Sequence, residues 1–128
     1  MVGVDDEQTV YDAVGGTPFF ADLVERFYAR VEVDGVLRPL YPDADLAAAR
    51  EHLTGFLVQY WGGPTTYSEE RGHPRLRMRH APFAIGPAER DAWYRAMAAS
   101  VLEVELDVVI ERRLLDYFTT AADHMINT

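Results

Sequence analysis

Four histidines, His52, His73, His80 and His124, are the side chains best suited to hold a metal in a chain that has no cysteine. Imidazole binds most transition metals, and the thiolate alternative is absent. Their spacing argues against a closed zinc site, since no two stand at i and i+4 and no HExxH sequence occurs. His80 differs from the other three in its surroundings. All 12 basic residues are arginine, and Arg71, Arg75, Arg77 and Arg79 crowd into the ten residues that end on His80. Guanidinium groups pair bidentately with carboxylates, so an imidazole ligand here would stand beside receptors for a small anionic ligand.

A haem would use both features, because its iron takes an axial histidine and its macrocycle carries two propionates. The competing reading makes Arg75, Arg77 and Arg79 a solvated face and His80 a surface residue. On this segment alone the surface reading is the stronger. His52 lies about 60° from Ala49 on a helical wheel, at the margin of the apolar face, and is expected to be solvent-exposed. His73 precedes a proline and serves the loop or a propionate, while the Met78 thioether is expected to pack rather than ligate.

Tyr28, Tyr41 and Trp93 form a second set. Each has an apolar body and one polar hydrogen that needs an acceptor when buried. Taken singly, each is more simply a boundary aromatic. Together they occupy three segments able to face one cavity, opposite the small apolar side chains of Ala49 and Leu53. Hydrolytic and phosphoryl-transfer chemistry find no support. The acid pairs Glu69-Glu70 and Glu103/Glu105 read as solvated surface, and there is neither a glycine-rich phosphate loop nor a nucleophile elbow.

The elements that must position these residues are helical. Residues 1–8 are polar and aperiodic, and read as a loose tail ahead of a single domain over 9–128. A short helix from Thr9 to Val14 is stopped by Gly15-Gly16. A second starts with Thr17 as N-cap and Pro18 at the first helical position. It buries Phe20, Leu23, Val24, Phe27 and Val31 along one face and ends at Asp34-Gly35. Val36 to Pro42, with two prolines, holds only a turn or a short helical piece.

A third helix begins near Asp43 to Asp45 and runs to about Trp61. Its buried stripe is Ala49, Leu53, Phe56 and Tyr60, flanked by Leu46 and Leu57. The loop from Gly62 to Gly72 leads to a short helical stretch from His73-Pro74 to Ala81, closed by Pro82, with His80 in its last turn. Gly86-Pro87 opens a fourth long helix facing inward through Ala92 or Trp93, Met97 and Val101. Asp107 caps a last helix that carries Ile110, Leu114, Tyr117, Phe118, Ala121 and Met125 on one side. No strand alternation or repeat is present.

The formal net charge of -9 argues against nucleic acid as the main partner. No apolar run approaches the ~20 residues of a transmembrane segment, and the acidic N-terminus is unlike a signal peptide. With no cysteine, this composition fits a cytoplasmic protein.

One stretch carries a family resemblance: Gln59-Tyr60-Trp61-Gly62-Gly63-Pro64-Thr65-Thr66-Tyr67-Ser68, continuing through Gly72-His73-Pro74-Arg75-Leu76-Arg77-Met78-Arg79-His80-Ala81-Pro82-Phe83. It strongly resembles the group II truncated haemoglobins. The likeness extends to Tyr11-Asp12-Ala13-Val14-Gly15-Gly16, Arg26-Phe27-Tyr28, Leu40-Tyr41-Pro42 and Glu89-Arg90-Asp91-Ala92-Trp93. It implies an all-α truncated globin, a two-over-two helical sandwich around a haem, with haem b (iron protoporphyrin IX) as cofactor and His80 as its proximal ligand.

The same resemblance places Tyr28, Tyr41 and Trp93 on the distal side with Ala49 and Leu53. It expects haem contacts from Phe27, Phe56 and Met97 in the long helices. Around the proximal segment it adds Tyr67, His73, Arg75, Leu76, Met78, Arg79 and Phe83. Many relatives carry a polar residue where Ala49 or Leu53 stands, so hydrogen bonding here should rest on the two tyrosines and the tryptophan. Three donors imply slow release of dioxygen, which suits scavenging, sensing or redox chemistry better than carriage. A separate, unidentified reductase stays open as a protein partner. Two alternatives stay open: a haem-dependent peroxidase, and a haem-free helical interaction module whose arginine segment binds an acidic partner.

Overall fold

A computed structural model describes residues 9–41, 46–64 and 85–126. Among these residues every regular element is a helix: α1 (Val10–Ala13), α2 (Thr17–Val33), a 3-10 helix (Arg38–Leu40), α3 (Ala47–Tyr60), α4 (Pro87–Glu103) and α5 (Val108–Met125). The tail 1–8, the 42–45 start expected for α3 and the whole segment 65–84 lie outside the described residues.

Helix ends follow local chemistry. The Thr9 side chain accepts from the Asp12 N–H at 3.1 Å and starts α1, and the Asp107 carboxylate accepts from the Val109 N–H at 3.0 Å to start α5. At α4 the Gly86 N–H donates to the Glu89 carboxylate at 2.8 Å, ahead of Pro87. The start of α2 differs from the expected threonine cap. Gly16, at φ 89°, is the N-cap, and Thr17 is the first helical residue. The turn is made by a positive φ that glycine adopts cheaply, and the Thr17 hydroxyl is engaged by the Tyr11 hydroxyl at 3.0 Å. At the far end of α2 the Asp34 carboxylate accepts from the N–H groups of Val36 (2.8 Å) and Leu37 (3.0 Å), turning the chain into the 3-10 helix.

The long helices form two pairs, α2 with α3 and α4 with α5, and α2 also packs on α4. The expected face of α2 is the centre of the core: Phe20, Leu23, Val24, Phe27 and Val31 are buried. Each contributes about 1.5–3 kcal/mol by leaving water. Met97 and Val101 of α4 and Leu114 and Phe118 of α5 meet them in one cluster. The stripe expected on α3 is corrected in part. Phe56, Leu57 and Val58 are buried, Ala49 and Leu53 are half-buried, and Tyr60 is 53% exposed. Tyr60 instead packs against the ring of Tyr117 at the surface, centroids 4.3 Å apart and ring planes tilted by 33°. On α5 the expected side is the packed one, with Leu114, Phe118, Ala121 and Met125 buried and Ile110 and Tyr117 half-buried against the core; Ala122 is buried as well.

The buried polar side chain of Ser100 is paired. It donates to the Ala96 carbonyl at 2.9 Å and accepts from Arg30 at 3.4 Å. Arg30 in turn meets both Glu103 carboxylate oxygens, at 3.1 and 2.7 Å, tying the C-terminal ends of α2 and α4. α1 is fastened to the end of α3 by the Tyr11 N–H on the Trp61 carbonyl at 2.9 Å. That contact needs Gly62-Gly63. A Cβ on Gly62 would lie 2.5 Å from the Thr9 side chain, and one on Gly63 would lie 2.6 Å from Val58 and 2.7 Å from the Tyr11 ring.

Candidate functional site

Three elements bring Tyr28, Tyr41 and Trp93 together. Tyr28 follows Val24 by one turn on α2, which carries it to the edge of the buried face, where it is 4% exposed. Tyr41 leaves the 3-10 helix in an extended conformation. Its N–H donates to the Arg38 carbonyl at 3.1 Å, and the Arg38 guanidinium donates to the Tyr41 carbonyl. Trp93 stands on α4, half-buried beside Ala92. The Tyr28 and Tyr41 rings meet edge to face with centroids 5.5 Å apart. Phe27 fills the space between Tyr28 and Trp93, 4.9 Å from the first and 5.5 Å from the second.

The hydroxyl of Tyr41 is the hub, because its oxygen accepts from the Tyr28 O–H and from the Trp93 N–H. Burial pushes the Tyr28 hydroxyl far above the ordinary phenol range, and its interaction with Tyr41 adds to this. Burial also raises the Tyr41 hydroxyl, while the two donors pull in the opposite sense. Both phenols therefore stay protonated at any physiological pH. The set offers neutral hydrogen-bond donors, and it offers neither a nucleophile nor a general base. Tyr28 and Trp93 aim at Tyr41, so the Tyr41 proton is the one directed outside the set.

Ala49 and Leu53, one turn apart on α3, pack with Tyr41 and Trp93 against the same core cluster. Of the expected haem contacts, Phe27, Phe56 and Met97 are buried members of that cluster. His80, together with Tyr67, His73, Arg75, Leu76, Met78, Arg79 and Phe83, lies outside the described residues. His52 departs from its expected exposure. It is half-buried, with Nδ1 shielded from solvent.

Two residues escaped sequence reasoning. Trp61 is buried at the end of α3, its Nε1 without a hydrogen-bond partner among the described residues, and Arg113 lies 5.8 Å from its ring. Arg50, next to Ala49, reaches across to α2, where it meets Glu25 at 2.9 Å and Glu32 at 3.0 Å and lies 5.8 Å from the centre of the Tyr28 ring. A signal existed for the second. Glu25, Tyr28 and Glu32 fall at i, i+3 and i+7, one face of α2 that is apt to hold a single cation.

Two stacked helix pairs, with three polar hydrogens set in an otherwise apolar wall, are the frame of a shortened globin. The chain belongs to the bacterial-like globins, whose pattern matches residues 9–127, and within them to the group 2 truncated haemoglobins. It is 39% identical to the group 2 truncated hemoglobin YjbI of Bacillus subtilis, over 91% of this chain and 87% of that one. Among solved structures, the thermostable hemoglobin of Thermobifida fusca is 53% identical and superposes with a TM-score of 0.92, covering 94% of this chain and 98% of that one. The truncated oxygen-avid haemoglobin of Bacillus subtilis is 38% identical with a TM-score of 0.87, covering 94% and 100%.

As a truncated haemoglobin, the chain binds haem and, through it, a diatomic ligand such as oxygen. The wall described above fits that group: the aromatic and aliphatic surface suits a porphyrin face, and the Tyr41 hydroxyl, held by Tyr28 and Trp93, is a hydrogen-bond donor suited to a polarised diatomic. Among the described residues, no helix is long and apolar enough to cross a membrane.

Proposed function

We propose that this protein binds haem b through His80 and retains dioxygen through the donor set of Tyr28, Tyr41 and Trp93, in which the Tyr41 hydroxyl faces the ligand and the other two hold it, releasing the ligand slowly. The observation that carries the reading is the convergence of two polar hydrogens, from Tyr28 on α2 and Trp93 on α4, on the oxygen of Tyr41 at the end of the 3-10 helix. The haem, when bound, supplies an iron that takes a diatomic molecule and leaves it partly negative. The rest of the work falls to the chain. Tyr28 and Trp93 fix the Tyr41 hydroxyl so that its proton is directed at the ligand. Ala49 and Leu53 add only apolar surface, which leaves orientation to the aromatic set.

Each hydrogen bond in such a pocket contributes about 1–3 kcal/mol, or roughly 5- to 150-fold in retention, and neighbours do not add simply. Slow release favours scavenging, sensing or redox chemistry over carriage. The arginines around His80 would receive the propionates. The proposal extends to a cytoplasmic protein kept reduced by a separate reductase, in keeping with an acidic sequence without cysteine. Trp93→Phe tests the pocket, since it removes one donor with little change of shape. Stopped-flow oxygen dissociation is expected to quicken by at least severalfold; a rate equal to wild type would remove Trp93 from the donor set.

A further inference from the structure

We propose that Arg50 is a positioning residue for the ligand pocket, holding a positive charge against Tyr28 and thereby strengthening the hydrogen bond that Tyr28 donates to the Tyr41 hydroxyl, the group that faces the ligand. The inference rests on the donor role of Tyr28 given above. The geometry is specific. The guanidinium carbon lies 5.8 Å from the Tyr28 ring centre, and its nitrogens are fixed at 2.9 Å from Glu25 and 3.0 Å from Glu32. The two carboxylates flank Tyr28 on α2, one turn to either side, so the cation is held over the ring between them.

As surface ion pairs, these contacts add little to stability, because both glutamates are more than half exposed. Their effect is on location. A long, flexible side chain that would otherwise sample many rotamers is confined to one place. A cation held near a phenol favours the electron-rich oxygen and so makes the hydroxyl a stronger donor. The electrostatics agree in sense: burial dominates at the Tyr28 hydroxyl and raises it, and Arg50 acts against that rise. Screening limits the size of the effect. A groove of about 400 Å3 between α2 and α3, with Val24, Glu25, Arg50 and Thr54 on its walls, opens beside the guanidinium.

Arg50 also couples the pocket to the helix that carries Ala49. It is the residue by which α3 grips the outer side of Tyr28, while Tyr41 and Phe27 hold its other sides. The tyrosine is thus fixed from both helices of the α2/α3 pair.

The test is a double-mutant cycle on the full, haem-loaded ferrous protein, with carbon monoxide as probe and infrared spectroscopy as readout. Donors near the ligand lower the C–O stretching frequency. Arg50→Gln is expected to raise that frequency and to speed oxygen dissociation about two- to fivefold, and Arg50→Lys, which keeps the charge, to recover most of both. In a Tyr28→Phe background, Arg50→Gln is expected to move neither. An unmoved band in Arg50→Gln, a shift that lysine does not recover, or an equal shift without the Tyr28 hydroxyl would each overturn the proposal. A purely structural Arg50 would lower the melting temperature and leave the band in place. If Arg50→Gln does not fold, Glu25→Gln/Glu32→Gln, which releases the cation without removing it, carries the test: a raised frequency supports the proposal and an unmoved one refutes it. Failure of the donor reading itself is distinguishable, because Tyr28→Phe alone would then leave the wild-type band unchanged.

Discussion

Replacing Tyr41 with phenylalanine removes one oxygen, and the structure makes that oxygen the acceptor of two donors. The Tyr28 O–H and the Trp93 N–H both end on it. Tyr28 is 4% exposed, so its hydroxyl has almost no access to water once the acceptor is gone. A buried donor left unmade costs about 1–3 kcal/mol. Trp93 is half-buried and recovers part of its loss from solvent. Tyr41→Phe is therefore expected to destabilise the protein by about 2–4 kcal/mol. Tyr28→Phe removes a donor but leaves Trp93 on the Tyr41 oxygen, and is expected to cost about 0.5–1.5 kcal/mol.

The difference, on the order of 2 kcal/mol, is about thirtyfold in the folded-to-unfolded ratio and several degrees in melting temperature. It is measured by urea and thermal unfolding followed by far-UV circular dichroism, with both variants in the same haem and ligand state. Equal stabilities for the two variants would refute the hub arrangement, since either phenol would then count only as one more aromatic ring.

Two further expectations rest on parts of the fold away from the pocket. Gly62→Ala places a methyl 2.5 Å from Thr9 at φ +108°. It should cost about 2–4 kcal/mol in strain and overlap, whereas Gly35→Ala, whose methyl meets open space, should melt within about 0.5 kcal/mol of wild type; similar melting of the two would show that α1 is not held as described. Glu103 is pulled down to about 2 by hydrogen bonding to Arg30, against a desolvation effect that raises it, with Arg26 assisting. A lowered carboxyl contributes stability that is full above its unfolded value near 4.5 and is lost as pH falls toward 2. Glu103→Gln should therefore flatten the pH dependence of stability in that window. Because the pair is exposed, the effect should be small and should fade in high salt; an unaltered slope in low salt would remove the pair from the acid response.

Much of the fold was legible because helices with one buried face write a 3.6-residue period into the chain. Phe20, Leu23, Val24, Phe27 and Val31 declare α2, and Thr9 and Asp107 announce their helices by local capping. Features set across helices were harder to read. Tyr60 continues the apolar spacing of α3 yet lies at the surface against Tyr117, while its neighbour Trp61 is the aromatic that enters the core. Thr17 looks like a cap until Gly16 takes that position at a positive φ. The place of Arg50 beside Tyr28 could not be read, since its carboxylate partners stand on another helix, 18 and 25 residues back. Tyr28, Tyr41 and Trp93 were legible as a set only in outline; their order, with Tyr41 accepting from the other two, required the geometry. His80 was carried by the family resemblance, since spacing alone favoured a surface histidine.

The axial role of His80 is tested most directly by the visible absorption spectrum of the purified protein beside that of His80→Ala, each titrated with haem and washed. The wild-type chain is expected to keep stoichiometric haem with a strong Soret band, and His80→Ala to lose most of it under the same washing. A Soret band of unchanged position and intensity in His80→Ala, or a wild-type protein that stays colourless after haem supplementation, would contradict His80 as the residue that holds the iron.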